Sequence, residues 1–337
     1  MPTDVDAPYR ALPAPMLTTA AEPLAPPLIV PDALRVEAEA AASFAREQHA
    51  RATREAYRTD FAIFEAWCAS RTLVALPALP GTVATFLAAQ AEDGAKPSTL
   101  SRRLAAIRYV HAGANHPSPT AHETVKATLA GIRRAQGVAP DRKAPITAER
   151  LLQLVALVPN TLRGARDRAI LLLGFAGAFR RSELAALEVG DIEFLAEGMR
   201  VKIRRSKTDQ EGAGQHVAIV RGASACPVEA VRQWLERAEI TAGPVFRPVR
   251  KGGRLMKEPL TPHSVCMIVK TYAGHAGFDA REFSAHSLRA GFLTSAAMRG
   301  ASIFKMMDVS RHKCVDTLRS YVRDADAFKN HAGTGLL

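Results

Sequence analysis

"GVAPDRKAPIT", residues 137–147, is the stretch that most limits what this chain can fold into. It holds two prolines, a glycine and three charges. Proline lacks a backbone donor and pushes the residue before it out of the helical region, so a helix or strand does not run through such a stretch. The residues on either side must bury separate cores, and 337 residues are enough for two. The linker is placed at 137–146. A second boundary lies nearer the N-terminus, where residues 1–32 hold eight of the 21 prolines and much alanine with no sustained period. Residues 1–42 are read as a disordered Pro/Ala-rich leader. A helical domain is expected over 43–136 and a second domain over 147–337.

In the first domain Tyr57, Phe61, Phe64 and Cys68 recur at helical spacing and form one apolar stripe. Residues 81–93 predict a short helix with Thr82 as its N-cap. Over 97–113, Leu100, Leu104, Ile107 and either Val110 or His111 point inward, which sends Arg102, Arg103 and Arg108 toward solvent. Over 120–136 a capping box from Thr120 to Glu123 is expected, with Val125, Leu129 and Ile132 buried and Lys126, Arg133 and Arg134 outside. A charged helix face is ordinarily just solvated. Two such faces beside Arg142 and Lys143 of the linker make a candidate surface for phosphates.

The second domain opens with helices at about 147–158 and 165–177. Residues 199–205 and 215–220 alternate like strands and are joined by the polar "SKTDQEGAG". Helices resume at 227–238, 262–274, 286–298 and 314–322. The expected class is mainly α with one small antiparallel β-sheet, in two domains.

Charge narrows the partner. The formal net charge is +12. Residues 1–43 carry a net of −4, which leaves +16 on the remainder. A surplus of that size points to a polyanion, nucleic acid first and an acidic membrane surface second. The four cysteines form no CxxC pair, so neither a zinc site nor a disulfide framework is indicated and reduced thiols in a cytoplasm-like compartment are expected. No apolar run approaches the ~20 residues that cross a bilayer.

Four stretches of the second domain carry chemistry: "GAFRRSELAAL" (177–187), "RRSKTDQ" (204–210), "SAHSLRAGF" (284–292) and "VSRHKCVDTLRSYVR" (309–323). His286 and Arg289 sit three apart and share a helix face, as do Arg180 and Glu183. His312 and Tyr321 lie nine apart, about 900° on one helix, so they cooperate only if the chain breaks between them. Lys207 falls in the turn between the two strands, where a long cation can reach into a cleft. This inventory suits attack on a phosphodiester by a phenol. Two guanidiniums can grip the non-bridging oxygens where charge grows. A phenol with a free pKa near 10 needs a proton acceptor, for which a histidine serves. The leaving oxygen needs a proton, which Lys207 can supply. No carboxylate cluster stands beside these cations to hold a metal.

In this order and spacing the four stretches resemble the tyrosine recombinase (phage integrase) family, Cre-like or Xer-like in layout, over roughly 43–337. The resemblance implies a two-domain DNA clamp, with a helical core-binding (SAM-like) domain before the catalytic one. It implies Arg180, Lys207, His286, Arg289, His312 and Tyr321 as the catalytic set, with Tyr321 the nucleophile, His312 on a turn at the scissile phosphate and Glu183 in support. Further implications are a 3′-phosphotyrosine intermediate, strand exchange between two target sites, and no cofactor. The expected partner is double-stranded DNA with inverted-repeat half-sites, bound by a tetramer that forms through the C-terminal "DADAFKNHAGTGLL", in a bacterial or phage-like cytoplasm at the nucleoid. The same residues would also serve nicking and religation without exchange, and a non-catalytic DNA-binding relative would keep the clamp. The chain departs from the family pattern in having Ala178-Phe179 where Gly-Leu is commoner, and Ala290-Gly291 where His-Thr is common. The second departure removes one possible hydrogen bond.

Overall fold

The computed structural model describes residues 32–46, 48–138, 143–204 and 214–326. It divides into two units between Pro140 and Asp141. Mostly helical, with one three-stranded antiparallel sheet, it is of the class expected. Among the described residues no helix is long and apolar enough to cross a membrane.

The first unit contains α1 (Arg35–Arg46), α2 (Arg51–Ala69), α3 (Pro80–Glu92), α4 (Pro97–Gly113) and α5 (Glu123–Gln136). The first eight residues of α1 belong to the stretch read as leader. The core forms where the apolar stripes of α2, α3 and α4 meet: Phe64, Phe86, Leu87, Leu100 and Ile107 are fully buried. Phe86 takes Phe64 and Trp67 edge-on at centroid distances of 5.0 and 5.4 Å. Such pairing adds about 0.5–1.5 kcal/mol beyond the area buried. Val110 and His111 are both inward. His111 is satisfied there by the Ala78 N–H, which donates to Nε2 at 2.9 Å, and by the Ile107 carbonyl, 2.8 Å from Nδ1. Burial lowers its pKa, so the ring is held neutral.

Two caps differ from expectation. Pro80 starts α3 at its first position, so Thr82 lies inside the first turn. Proline needs no donor there and already has a helical φ. Thr120 is held in a 3₁₀ turn, Pro119–Ala121, and α5 is instead capped by His122, whose Nδ1 accepts the Thr124 N–H.

The second unit contains α6 (Ala148–Ala156), α7 (Leu162–Ala176), α8 (Arg181–Ala185), β1 (Ile192–Phe194), β2 (Gly198–Ile203), β3 (Gln215–Val220), α9 (Pro227–Arg237), α10 (Pro262–His275), α11 (His286–Met298), α12 (Ile303–Ser310) and α13 (Val315–Asp326). The sheet order is β1-β2-β3, with Val201 opposite both Ile192 and Val217. Met199, Val201 and Ile203 turn to the core on alternate positions, the period-2 pattern legible in the sequence. The short β1 and α12 were not expected. Helix α7 is buried along most of its length and packs on α9, whose Trp234 is fully buried and donates its indole N–H to the Val245 carbonyl at 2.8 Å.

Residues 143–146, read as the end of the linker, pack on this unit. The Ala144 and Ile146 N–H groups donate to the carbonyls of Glu282 and Ser287, each at 2.9 Å, and Ile146 is fully buried. Helix α11 approaches them so closely that a Cβ on Gly291 would stand 1.7 Å from the Ile146 carbonyl oxygen. A smaller core of Leu293, Ala297, Met306 and Leu318 joins α11, α12 and α13, with Tyr321 packed at its edge.

Candidate active site

Three separate segments build the site, and each is shaped by a local feature. The first follows α7. A Cβ on Gly177 would meet the Phe179 ring at 2.2 Å, so only glycine lets that ring fold under the turn. Ala178 sits at φ 45°, a left-handed conformation that side chains disfavour. The turn turns its two carbonyls toward the other segments and delivers Arg180 to the N-cap of α8. Glu183 reaches back to accept the Arg180 backbone N–H at 2.8 Å and its Nη1 at 2.7 Å.

The second segment is the start of α11. Arg289 is 1% exposed and donates Nη1 to the Ala178 carbonyl at 2.6 Å. His286, one turn earlier, keeps access to solvent. Its pKa is lowered, first by the protein packed around it and then by Arg289 and Arg180.

The third segment is the break between α12 and α13. Helix α12 ends on Arg311 in the left-handed conformation, φ 60°, a common way to stop a helix. His312 follows on the turn, and Tyr321 lies two turns into α13. That break between His312 and Tyr321 is the one their spacing requires. Arg289 Nη2 lies 3.3 and 3.2 Å from the two ring nitrogens of His312. The Tyr321 phenol is within electrostatic range of Arg289. Burial, then Arg289, Arg180, His286 and Arg311, push the His312 pKa down to about 4.

Sequence reasoning missed two residues of this turn. Arg311 is buried and donates to the carbonyls of Gly177 (3.0 Å) and Val309 (2.7 Å), and to Glu183 Oε2 at 2.7 Å. Glu183 is therefore shared by Arg180 and Arg311, and the Ala178 carbonyl by Arg289 and Arg311. Ser310, fully buried, places Oγ 2.6 Å from the Met306 carbonyl and 2.7 Å from His312 Nδ1. No periodic pattern marks either residue.

Three guanidiniums and two imidazoles thus face one another, and among the described residues the carboxylate bonded to them is that of Glu183. Burial first, and then repulsion from Arg180 and Arg311, lowers the pKa of Arg289. Such a cluster is suited to an anion with several oxygens. Lys207 and Arg142 lie outside the described residues. Lys202, the other lysine of the hairpin, is exposed on β2 opposite His216.

In the first unit the cations separate into groups. Arg108 and Arg134 are exposed. Arg102 is half exposed but grips the buried Asp60 through two bonds of 2.6 and 3.0 Å. Arg103, expected to face solvent, is largely buried between Asp60 and Gln90. A carboxylate 1% exposed requires such partners, and it draws both guanidiniums inward. Lys126 pairs with Glu123 and Arg133 donates to Ser101 Oγ. Lys143 belongs to the second unit and donates there to the Arg281 carbonyl.

Known proteins resemble this chain in sequence and in fold. Residues 145–327, more than half of the chain, match the Phage integrase family, and residues 44–116 match the phage integrase N-terminal SAM-like domain. The Integrase/recombinase xerD homolog of Selenomonas ruminantium is 38% identical over 286 residues, 83% of this chain and 84% of that protein. Tyrosine recombinase XerC of Xylella fastidiosa is 27% identical over 80% of this chain and 85% of its own. Among solved structures, a XerH site-specific recombinase bound to palindromic difH superposes with a TM-score of 0.57 at 18% identity, over 77% of this chain and 72% of that one. A lambda integrase dimer bound to a COC' core site gives 0.55 at 17% identity, over 86% and 75%. These two likenesses establish the fold, and the sequence matches establish descent: the chain belongs to the phage integrase family of tyrosine recombinases.

Proposed function

We propose that the chain cuts and rejoins double-stranded DNA through a 3′-phosphotyrosine at Tyr321, exchanging strands between two target sites. The observation that carries this reading is the convergence of Arg180, His286, Arg289 and His312 on one cationic site, with the Tyr321 phenol in range of Arg289.

Arg180 and Arg289 bind the non-bridging oxygens of the scissile phosphate. Each is preorganised, Arg180 by Glu183 and Arg289 by the Ala178 carbonyl, so little reorganisation is needed as charge develops. Loss of one such donor costs about 10²–10³ in rate. The Tyr321 phenol gives its proton to an imidazole, and its oxygen bonds to phosphorus as the bond to the 5′-oxygen breaks. The leaving oxygen takes a proton from Lys207. The phosphodiester energy is kept in the covalent link, so a 5′-hydroxyl from the partner strand can reverse the step. Glu183 acts through the arginines it holds. The DNA-bound relatives support a DNA duplex as substrate. Inverted half-sites, and a tetramer held by residues 324–337, extend this reading. The tail from 327 onward lies outside the described residues.

Incubation with a suicide duplex, which loses a short fragment after cleavage, tests the chemistry. The wild type should give a denaturation-resistant protein–DNA adduct and Tyr321→Phe none. An equal adduct from Tyr321→Phe would overturn the assignment. Recombinant product from two target copies tests exchange; adduct without product would reduce the activity to nicking and religation.

A further inference from the structure

The proton inventory around Ser310 assigns the tautomer of His312. Two oxygens 2.6 Å apart, Ser310 Oγ and the Met306 carbonyl, need a proton between them. The carbonyl has none to give, so the single hydroxyl proton lies there. Ser310 Oγ also stands 2.7 Å from His312 Nδ1, and with its own proton committed it can only accept. The proton in that contact comes from the ring. A neutral imidazole carries one proton, so Nε2 is left with its lone pair.

Arg289 favours the uncharged ring on which this assignment rests. Its Nη2 is nearly equidistant from both ring nitrogens, at 3.3 and 3.2 Å. In the ring plane that position would collide with Cε1, so the guanidinium nitrogen sits over the ring face. A cation over the face favours the neutral ring. The groups that shift His312 all act the same way: Arg289 and His286 from α11, Arg180 from the turn before α8, and Arg311 beside it. Glu183, the carboxylate of the cluster, is bonded to Arg180 and Arg311.

We propose that Ser310 is a positioning residue that fixes the Nδ1–H form of His312, so that His312 meets its substrate through an unprotonated Nε2. This rests on the reading of Tyr321 as nucleophile and deepens it. A neutral His312 cannot donate from Nε2 to a phosphate oxygen. It first accepts a proton there, and the Tyr321 phenol is the donor. The O–H bond of Tyr321 breaks, an Nε2–H bond forms, and Nδ1–H stays on Ser310. The new Nε2–H then donates to the phosphate. Deprotonation of the nucleophile and completion of the phosphate site become one event.

Nitrogen-15 spectra of histidine-labelled protein without DNA read the tautomer, with the His312 signals identified by their loss in His312→Gln. At neutral pH the wild type should give the Nδ1–H pattern at His312, and Ser310→Ala should shift it toward Nε2–H. A wild-type spectrum with the proton on Nε2, or a Ser310→Ala spectrum identical to wild type, would overturn the proposal. If Ser310→Ala does not fold, the wild-type spectrum decides alone. No DNA is present, so this result is independent of whether Tyr321 forms an adduct. In the adduct assay Ser310→Ala should move the acid limb of the cleavage rate to lower pH, because the imidazolium loses an acceptor. An unmoved limb would count against the coupling.

Discussion

At the residue scale, Arg311 ties the turn before α8 to the turn after α12 through four hydrogen-bond partners, yet carries no sequence signal. His286 and Arg289 were legible because three-residue spacing on a helix means a shared face. Arg311 was not, because its role depends on a left-handed turn and on partners 128 to 134 positions earlier. Its guanidinium and the Glu183 carboxylate are both buried, with side chains 2% and 1% exposed. Removing one partner of a buried pair costs about 3–5 kcal/mol, because the other charge is left without compensation. Arg180 still holds Glu183 in an Arg311→Ala variant, so the loss should fall toward the lower figure. The chain's two tryptophans, Trp67 and Trp234, lie one in each unit. In a Trp67→Phe background, urea unfolding followed by Trp234 fluorescence reads the second unit alone. Arg311→Lys should recover part of the loss, since an ammonium can reach Glu183 but cannot also span two carbonyls. Wild-type stability in Arg311→Ala would mean that the Glu183 pair contributes nothing net.

At the scale of elements, the apolar stripe of α2, the apolar run of α7 and the alternation of β2 and β3 were readable, because each buries a continuous surface. Helix α12 was missed although Ile303, Met306 and Met307 follow helical spacing. It is only eight residues long, and it is held by a core shared with α11 and α13 rather than by a stripe of its own. The start of the second unit was likewise hidden, because what anchors residues 143–146 is backbone pairing to residues about 140 positions away. Gly291 explains one departure from the family pattern. In place of a hydrogen-bonding side chain, α11 has a bare backbone there, against which the Ile146 carbonyl lies. That carbonyl cannot retreat cheaply, since the Ile146 N–H is bonded to Ser287 and its side chain is buried. Gly291→Ala should therefore cost about 1–3 kcal/mol, the range for overpacking a filled core. The Trp234 transition should move to lower urea, and in the reciprocal Trp234→Phe background the Trp67 transition should stay. An unchanged Trp234 midpoint would show that α11 can shift to admit a methyl group.

At the scale of the whole molecule, the charge surplus pointed to a polyanion, yet composition does not say which cations are available to meet it. Each phosphate contact releases condensed counterions, and log K falls with log salt at about −0.9 per contact on duplex DNA. Arg108 and Arg134 are exposed, whereas Arg102 is committed to a buried carboxylate and Arg103 is turned inward. If the outer faces of α4 and α5 are the phosphate surface that the sequence suggests, the double variant Arg108→Ala/Arg134→Ala should bind target and non-target duplex more weakly by similar factors. Its salt slope should be shallower by about 2. Arg102→Ala should act differently. It strips the main partner from Asp60, so the Trp67 unfolding midpoint should fall. Titrations at several salt concentrations, set beside urea unfolding of the same proteins, separate a lost phosphate contact from a lost fold. An unchanged slope in the double variant would move the DNA-binding face elsewhere on the first unit.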